Sequence, residues 1–457
     1  MLAAVVGLWA ACDNSHTTTP EESSEESTVG NDSSDFVYEQ TWDATISIVW
    51  NGTDVTVSGS ADGVSVTNSE GYVTVKSTAK HIEYAVSGSG TGQLSIYSDY
   101  KFKLTMEGLT LACSDGPAIN NQCKKTCYVV LDGMNILRDG STYASSTEDR
   151  KAAFFSEGQL CFSGSGGMAV TGNYKHALAS DDYIRICEGT GIISLIANAA
   201  DGMHANDGIL INDGQIIVTS TDEGIRTDSN AIVITGGKIN VISQSEGIES
   251  KGTITISGGE VYVKAADDAI NSGEDLIISG GYVLAHSTGN DGIDVNGNCY
   301  IKGGVVYAIG ANSPEVAIDA NSEDRKQLYV QGGTIVAIGG LENGAELSQT
   351  CYSASSVSQS TWYALYSGDD LAFVFKTPAS LSSSTFVVST SGTASLKSGV
   401  TPTGGTPILS SFAYLEATVS GGSSVSLSTY SGGNGGPGGG PGGGGHGGPG
   451  GGGGRPF

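Results

Sequence analysis

The sequence predicts an all-β fold, a right-handed parallel β-helix wound from rungs of 22–25 residues, and three observations carry that prediction. The first is a recurring phrase of an acid, a small residue and an apolar residue: Asp201-Gly202-Met203, Glu223-Gly224-Ile225, Glu246-Gly247-Ile248, Asp268-Ala269-Ile270 and Asp291-Gly292-Ile293. Weaker copies at Pro117-Ala118-Ile119, Ala152-Ala153-Phe154, His176-Ala177-Leu178 and Val316-Ala317-Ile318 bring the successive spacings to 35, 24, 25, 22, 23, 22, 23 and 25. A Lys- and Ser-containing loop around residues 132–150 stretches the first spacing. The second observation is a pair of period-2 apolar runs split by Gly-Gly within a unit, as in Ile254-Thr255-Ile256-Ser257-Gly258-Gly259-Glu260-Val261-Tyr262-Val263. The third is composition: 38% hydrophobic but only 7% aromatic, with Val, Ile and Ala beside abundant Ser, Thr and Gly, which suits strands and predicts no long helix.

Each unit has room for about three short strands and cannot bury its own apolar face. Units must therefore stack, and strands of successive units pair in parallel at about 4.8 Å per rung. Nine visible rungs would span roughly 40–45 Å at that spacing. Leucine-rich repeats need a Leu frame and an Asn ladder that are missing, and propeller blades need about 40 residues. Alternation turns Ile254, Ile256, Val261 and Val263 inward and Thr255, Ser257, Glu260 and Tyr262 outward. The glycine pairs supply corners that a Cβ would disfavour.

An open solenoid exposes strand edges at both ends, so covers are expected. The alternating strands of 36–112 suit the first rungs and N-terminal cap of a unit spanning 36–344, and 345–430 suits a C-terminal β cap. Residues 431–457 form a Gly/Pro-rich tail, and the polar, acidic 13–35 reads as a disordered tether. Residues 1–12 are apolar up to Ala10, Ala11 and Cys12, resembling a secretory signal ending in a bacterial lipobox, with Cys12 as the lipidation site. Trp9, and the lack of Lys or Arg before the apolar stretch, depart from that pattern, and a buried start to a cytosolic domain is the other reading. The expected location is a membrane-anchored lipoprotein at the cell surface, on an outer membrane.

With Lys+Arg 21 against Asp+Glu 48, the net charge is −27. Such a surface repels nucleic acid and anionic lipid alike. Partners must be neutral, cationic, or anionic and joined through a bound cation. The cysteines after Cys12 are Cys113, Cys123, Cys127, Cys161, Cys187, Cys299 and Cys351, an odd set without a CxxC pair, read as buried small hydrophobes or a local disulfide rather than zinc ligands.

Stacking turns sequence positions into vertical rows. One corner then collects Glu223, Glu246, Glu249, Asp267, Asp268, Asn271, Asp291 and Asp294, with Arg226 and Lys251 serving only the upper rungs. Like charges at rung spacing repel unless neutralised. An all-oxygen set suits Ca²⁺, and a solvated acidic edge with amide ladders is the alternative. On another face the outward row Ile217, Asn240, Tyr262, Leu284, Tyr307, Val336, with Lys264 beside it, forms either a platform for a sugar chain or a surface that the C-terminal unit covers. His176, His204 and His286 are expected on different faces or distant rungs, and no catalytic triad, phosphate loop or zinc motif stands out.

The segments EGIESKGTITISGGEVYVKAADDAINSG, NDGIDVNGN and LTMEGLTLACSDGPAIN resemble a bacterial family of carbohydrate-binding right-handed β-helix domains, described as cellulose and acidic-sugar binders related in fold to polysaccharide lyases. The resemblance covers roughly 45–340 and implies calcium at acidic corners and affinity for polymers such as polygalacturonate. Three functions follow as expectations. One is a surface protein that binds polysaccharide with Ca²⁺, through Tyr262, Tyr307, Lys264, Arg226 and Lys251. Another is a calcium-dependent lyase with Lys251 as base and Arg226 beside it, which would need a cation to acidify the proton α to a uronate carboxylate. The last is a structural adhesin.

Overall fold

The computed structural model describes residues 36–354 and 356–432. The expectations for Cys12, the 13–35 tether and the tail beyond residue 432 lie outside the described residues. Among the described residues no helix is long and apolar enough to cross a membrane.

The chain winds as a parallel β-helix with three faces. The first is an 11-stranded sheet that includes Ile225–Thr227, Ile248–Ser250, Ile270–Ser272 and Ile293–Val295. The second carries Ile232–Ile234, Ile254–Ile256, Leu276–Ile278 and Cys299–Ile301, and the third Lys238–Ile242, Glu260–Ala265, Tyr282–Ser287 and Val305–Ile309. Strands this short hold only because each is paired above and below, so the repeat rather than local propensity supplies the stability.

Register makes every column homogeneous. Ile225, Ile248, Ile270 and Ile293 align on the first face, and Ile239, Val261, Val283 and Val306 on the third. All are buried in one continuous core, as period-2 alternation requires. Between the first and second faces an inner row of hydroxyls satisfies turn carbonyls. Ser250 Oγ donates to Asn230 O at 2.8 Å, and Ser272 Oγ to Gly252 O at 3.1 Å. Gly259 shows why Gly-Gly marks the remaining corner: its φ is +84°, and a Cβ on the preceding Gly258 would stand 2.2 Å from Thr235 O.

At the N-terminal end Ala44–Gly52 folds back on Asp54–Ser58 and seals the core with Trp50, whose indole donates to Gly71 O at 3.0 Å. At the other end Phe386–Ser389 runs antiparallel to Thr334–Ile338 and Cys351–Ala354, which ends the parallel ladder. A six-stranded antiparallel sheet, including Trp362–Ser367, Asp370–Lys376 and Ala394–Thr403, then packs on the third face. The seven described cysteines are all buried and unbridged.

Candidate functional site

The close-packed register that builds the first face also places its ionisable groups. Two residues before each buried Leu, Met or Ile stand His176, Asp201, Glu223, Glu246, Asp268 and Asp291. One residue after stand Ala179, His204, Arg226, Glu249, Asn271 and Asp294, and a bridge from Ile293 to Ile318 adds Asp319. The small residue between them is a packing requirement. A Cβ at Gly247 would meet Val263 Cγ1 at 2.0 Å and Ala269 O at 2.5 Å. That approach draws the preceding acids inward, so Asp201, Glu223, Asp268 and Asp291 are buried.

The upper rungs are compensated by cations. Arg226 Nη1 lies 2.6 Å from Glu223 Oε1 and 3.3 Å from Glu249 Oε2, and Lys251 Nζ pairs with Glu249 Oε1. Burial, then the hydrogen bond shared with Asp201, pushes the Glu223 carboxyl up to about 9. One rung higher, His176 and His204 stack with centroids 4.3 Å apart, and both turn Nδ1 to Asp201 Oδ2, at 3.2 and 2.8 Å. Burial alone would raise the Asp201 carboxyl, but its hydrogen bonds to His176 and His204 outweigh burial and hold it well below the usual range. The expectation that these histidines lie on different faces or distant rungs is therefore corrected. They occupy adjacent rungs of one face, because the opening position of one repeat and the outward position of the next meet across a single rung spacing.

The lower rungs gather carboxylates on neighbouring strands. Oxygens of Asp291, Asp294 and Asp319 all lie within 4.8 Å of one another. Burial, then the Asp294 charge, pushes the Asp268 carboxyl up to about 9. Asp291 is pushed up to about 7, first by burial, and Asp319 to about 10 by burial and then Glu342. Asn271 Nδ2 donates to Asp268 Oδ2 and Asp294 Oδ2, both at 3.2 Å, and the Asp291 N–H donates to Asp268 Oδ1 at 2.9 Å. Asp267 is exposed and accepts from Asn290 Nδ2 at 2.8 Å, apart from this group. Ca²⁺ takes six to eight oxygens at about 2.3–2.6 Å, so its ligand oxygens fall within about 5 Å of one another. The Asp291, Asp294 and Asp319 set fits that requirement. The Glu223, Glu246 and Glu249 set is as compact, but Arg226 already supplies its positive charge.

Reading the sequence missed Glu342, which follows the last clear repeat, and left Asp319 out of the ligand set although it continues the same row. Leu341 pairs with Ile318, which sets Glu342 beside Asp319.

The expected sugar platform needs correction. Tyr307 is fully buried against Phe375, centroids 5.1 Å apart, and its hydroxyl donates to Lys376 O at 3.2 Å. Tyr262 is buried against Phe412. The C-terminal sheet covers this row because an apolar stripe of Tyr262, Leu284, Tyr307 and Val336 is worth more against Leu365, Phe373 and Phe375 than in water. Lys264 alone of the predicted contacts on this face remains exposed. An aromatic pair that went unnoticed, Tyr300 and Tyr329, stacks on the second face at 4.9 Å with Lys302 over Tyr300.

No curated protein matches the chain. Among solved structures it is similar to a polysaccharide lyase-like protein from C. thermocellum, determined as a gadolinium derivative. The identity is 21%, with 57% of this chain and 96% of the other covered and a TM-score of 0.40. The family model described as carbohydrate-binding domain-containing protein matches residues 69–265 and again 231–401, together most of the chain. The chain thus belongs to the family of carbohydrate-binding domain-containing proteins.

Proposed function

We propose that this protein is a cell-surface lipoprotein, held through Cys12, that binds an acidic polysaccharide such as polygalacturonate, and cellulose as a neutral alternative, with Ca²⁺ in its lower acidic ladder. The single observation that carries the calcium part is the trio of buried Asp291 and half-buried Asp294 and Asp319, whose carboxylate oxygens all lie within 4.8 Å of one another. Bound Ca²⁺ would neutralise that trio and offer its remaining positions to carboxylate and hydroxyl oxygens of a glycan, letting a polyanion approach a −27 chain. Asp291 and Asp294 from one rung and Asp319 from the next would hold the ion. For the lyase alternative, the candidate base Lys251 is engaged by Glu249, and Arg226 by Glu223 and Glu249.

The deciding experiment incubates the protein with polygalacturonate and with cellulose, in calcium and in EDTA, following pulldown together with absorbance of unsaturated uronide. Calcium-dependent retention on polygalacturonate without absorbance growth is the expected result. Growth abolished by Lys251→Ala would make the protein a lyase, and no retention on either polymer would return the adhesin reading.

A further inference from the structure

The charge of the solenoid is uneven. Residues 36–200 hold 11 Lys and Arg against 17 Asp and Glu, a net −6, whereas residues 201–345 hold 7 against 20, a net −13. An anionic chain therefore meets least repulsion over the early rungs. There a cleft of about 740 Å³ opens, lined by Tyr72, Arg138, Glu70, Thr91, Ser114 and Ser141 among others.

Two of these side chains, Arg138 and Tyr72, stand ready at the cleft. Arg138 ends the strand Met134–Arg138; its guanidinium is exposed and has no ion-pair or hydrogen-bond partner among the described residues. The adjacent carboxylate cannot serve it. Asp139 is buried, with Oδ1 accepting from the Asn173 N–H at 2.5 Å and Oδ2 from the Tyr143 hydroxyl at 2.7 Å. Tyr72 is 39% exposed, yet its ring is held in place by a hydroxyl donated to Asp115 Oδ1 at 2.6 Å. Past Ser141 the same loop stacks Tyr143 on the exposed Tyr174 at 4.0 Å.

From this arrangement we infer that the N-terminal shoulder is a second, metal-independent glycan site, taking a uronic-acid residue through Arg138 and Tyr72. The planar guanidinium fork matches a carboxylate bidentately, which a hydroxyl cannot reproduce. The fixed Tyr72 ring offers an apolar face to a pyranose, while Glu70 and the cleft hydroxyls accept and donate to its hydroxyls. The site deepens the acidic-polysaccharide reading and rests on it, but it lies on different rungs from the calcium ladder and needs no ion.

The test is calorimetric titration of a defined galacturonate oligomer into the full chain in EDTA, with a cello-oligosaccharide as the neutral control. Arg138→Gln is expected to weaken the uronide by about tenfold, the loss of one charge-assisted pair, and the neutral oligomer by less than about twofold. Tyr72→Ala is expected to weaken both glycans. Unchanged uronide affinity in Arg138→Gln, or an equal loss for both glycans, would overturn the site. So would wild-type uronide binding in calcium but not in EDTA, and that result leaves the calcium reading standing. No wild-type uronide binding in either condition sinks both. Both variants are surface changes, so an unaltered thermal midpoint shows that the fold is intact.

Discussion

At the scale of single residues, burial decides which groups are chemically unusual. His286 sits on the third face beside Lys264, and burial, then the Lys264 charge, pushes its imidazole down to about 4. An unfolded His titrates near 6.5, so below that pH the unfolded chain takes up a proton that the folded chain refuses. The folded pKa is depressed, and for a base this means stability is fully present above about 6.5 and falls as the pH drops toward 4. Between pH 7 and 4.5 the wild type should lose about 2 kcal/mol that His286→Gln does not lose. Denaturant titrations at the two pH values measure this, and parallel losses would show that another group titrates. Gly247 is the steric counterpart. Its missing Cβ lets its own backbone sit against Val263 and the Ala269 carbonyl, so Gly247→Ala should cost about 1–3 kcal/mol by overpacking, read as a lower thermal midpoint. The equivalent position one rung down is already Ala269, so the backbone there has taken up the difference, and Ala269→Gly should not stabilise.

At the scale of elements, the columns of the helix are readable in the sequence because each rung repeats the same β-branched positions at nearly fixed spacing. Ile248 and Ile270 align as the repeat requires. What repetition does not mark stays hidden. The C-terminal sheet has no repeat to give its place, so the row Tyr262, Leu284, Tyr307 read equally well as a sugar platform or a covered stripe until Phe373 and Phe375 were seen upon it. The acid ladder was legible down to Asp294, but Glu342 lies past a loop that breaks the phrase. Arg138 and Tyr72 fall in early rungs where the phrase is weak. The docking itself is testable. Tyr307→Ala removes a fully buried ring and orphans the Lys376 carbonyl, which should cost about 3–5 kcal/mol. Because that loss is concentrated at the contact between the two elements, limited proteolysis should cut within residues 362–425 before the solenoid. Simultaneous loss of both would mean they fold as one unit.

At the scale of the whole molecule, the lower ladder sets one thermodynamic problem. Buried Asp268 and Asp291 and half-buried Asp319 lie near other carboxylates, and burial with that crowding raises each carboxyl above its ordinary range, at a cost to the folded state at neutral pH. A ligand that binds only the folded, deprotonated site removes that cost by mass action, by about 2.7 kcal/mol when its free concentration is 100-fold above Kd. Calcium should therefore raise the thermal midpoint at pH 7.5, EDTA should lower it again, and magnesium should do less, since a small ion demanding octahedral geometry gains less from several carboxylates. Asp319→Asn separates this account from a merely acidic edge. It removes the cost of keeping that carboxyl protonated in the fold while retaining the side chain's shape, so the metal-free variant should be more stable than the metal-free wild type and its calcium shift should shrink. An edge without an ion predicts the first change without the second, because there would be no calcium shift to lose. An undiminished calcium shift in Asp319→Asn would instead move the ion to other rungs, where the charge of Arg226 already stands.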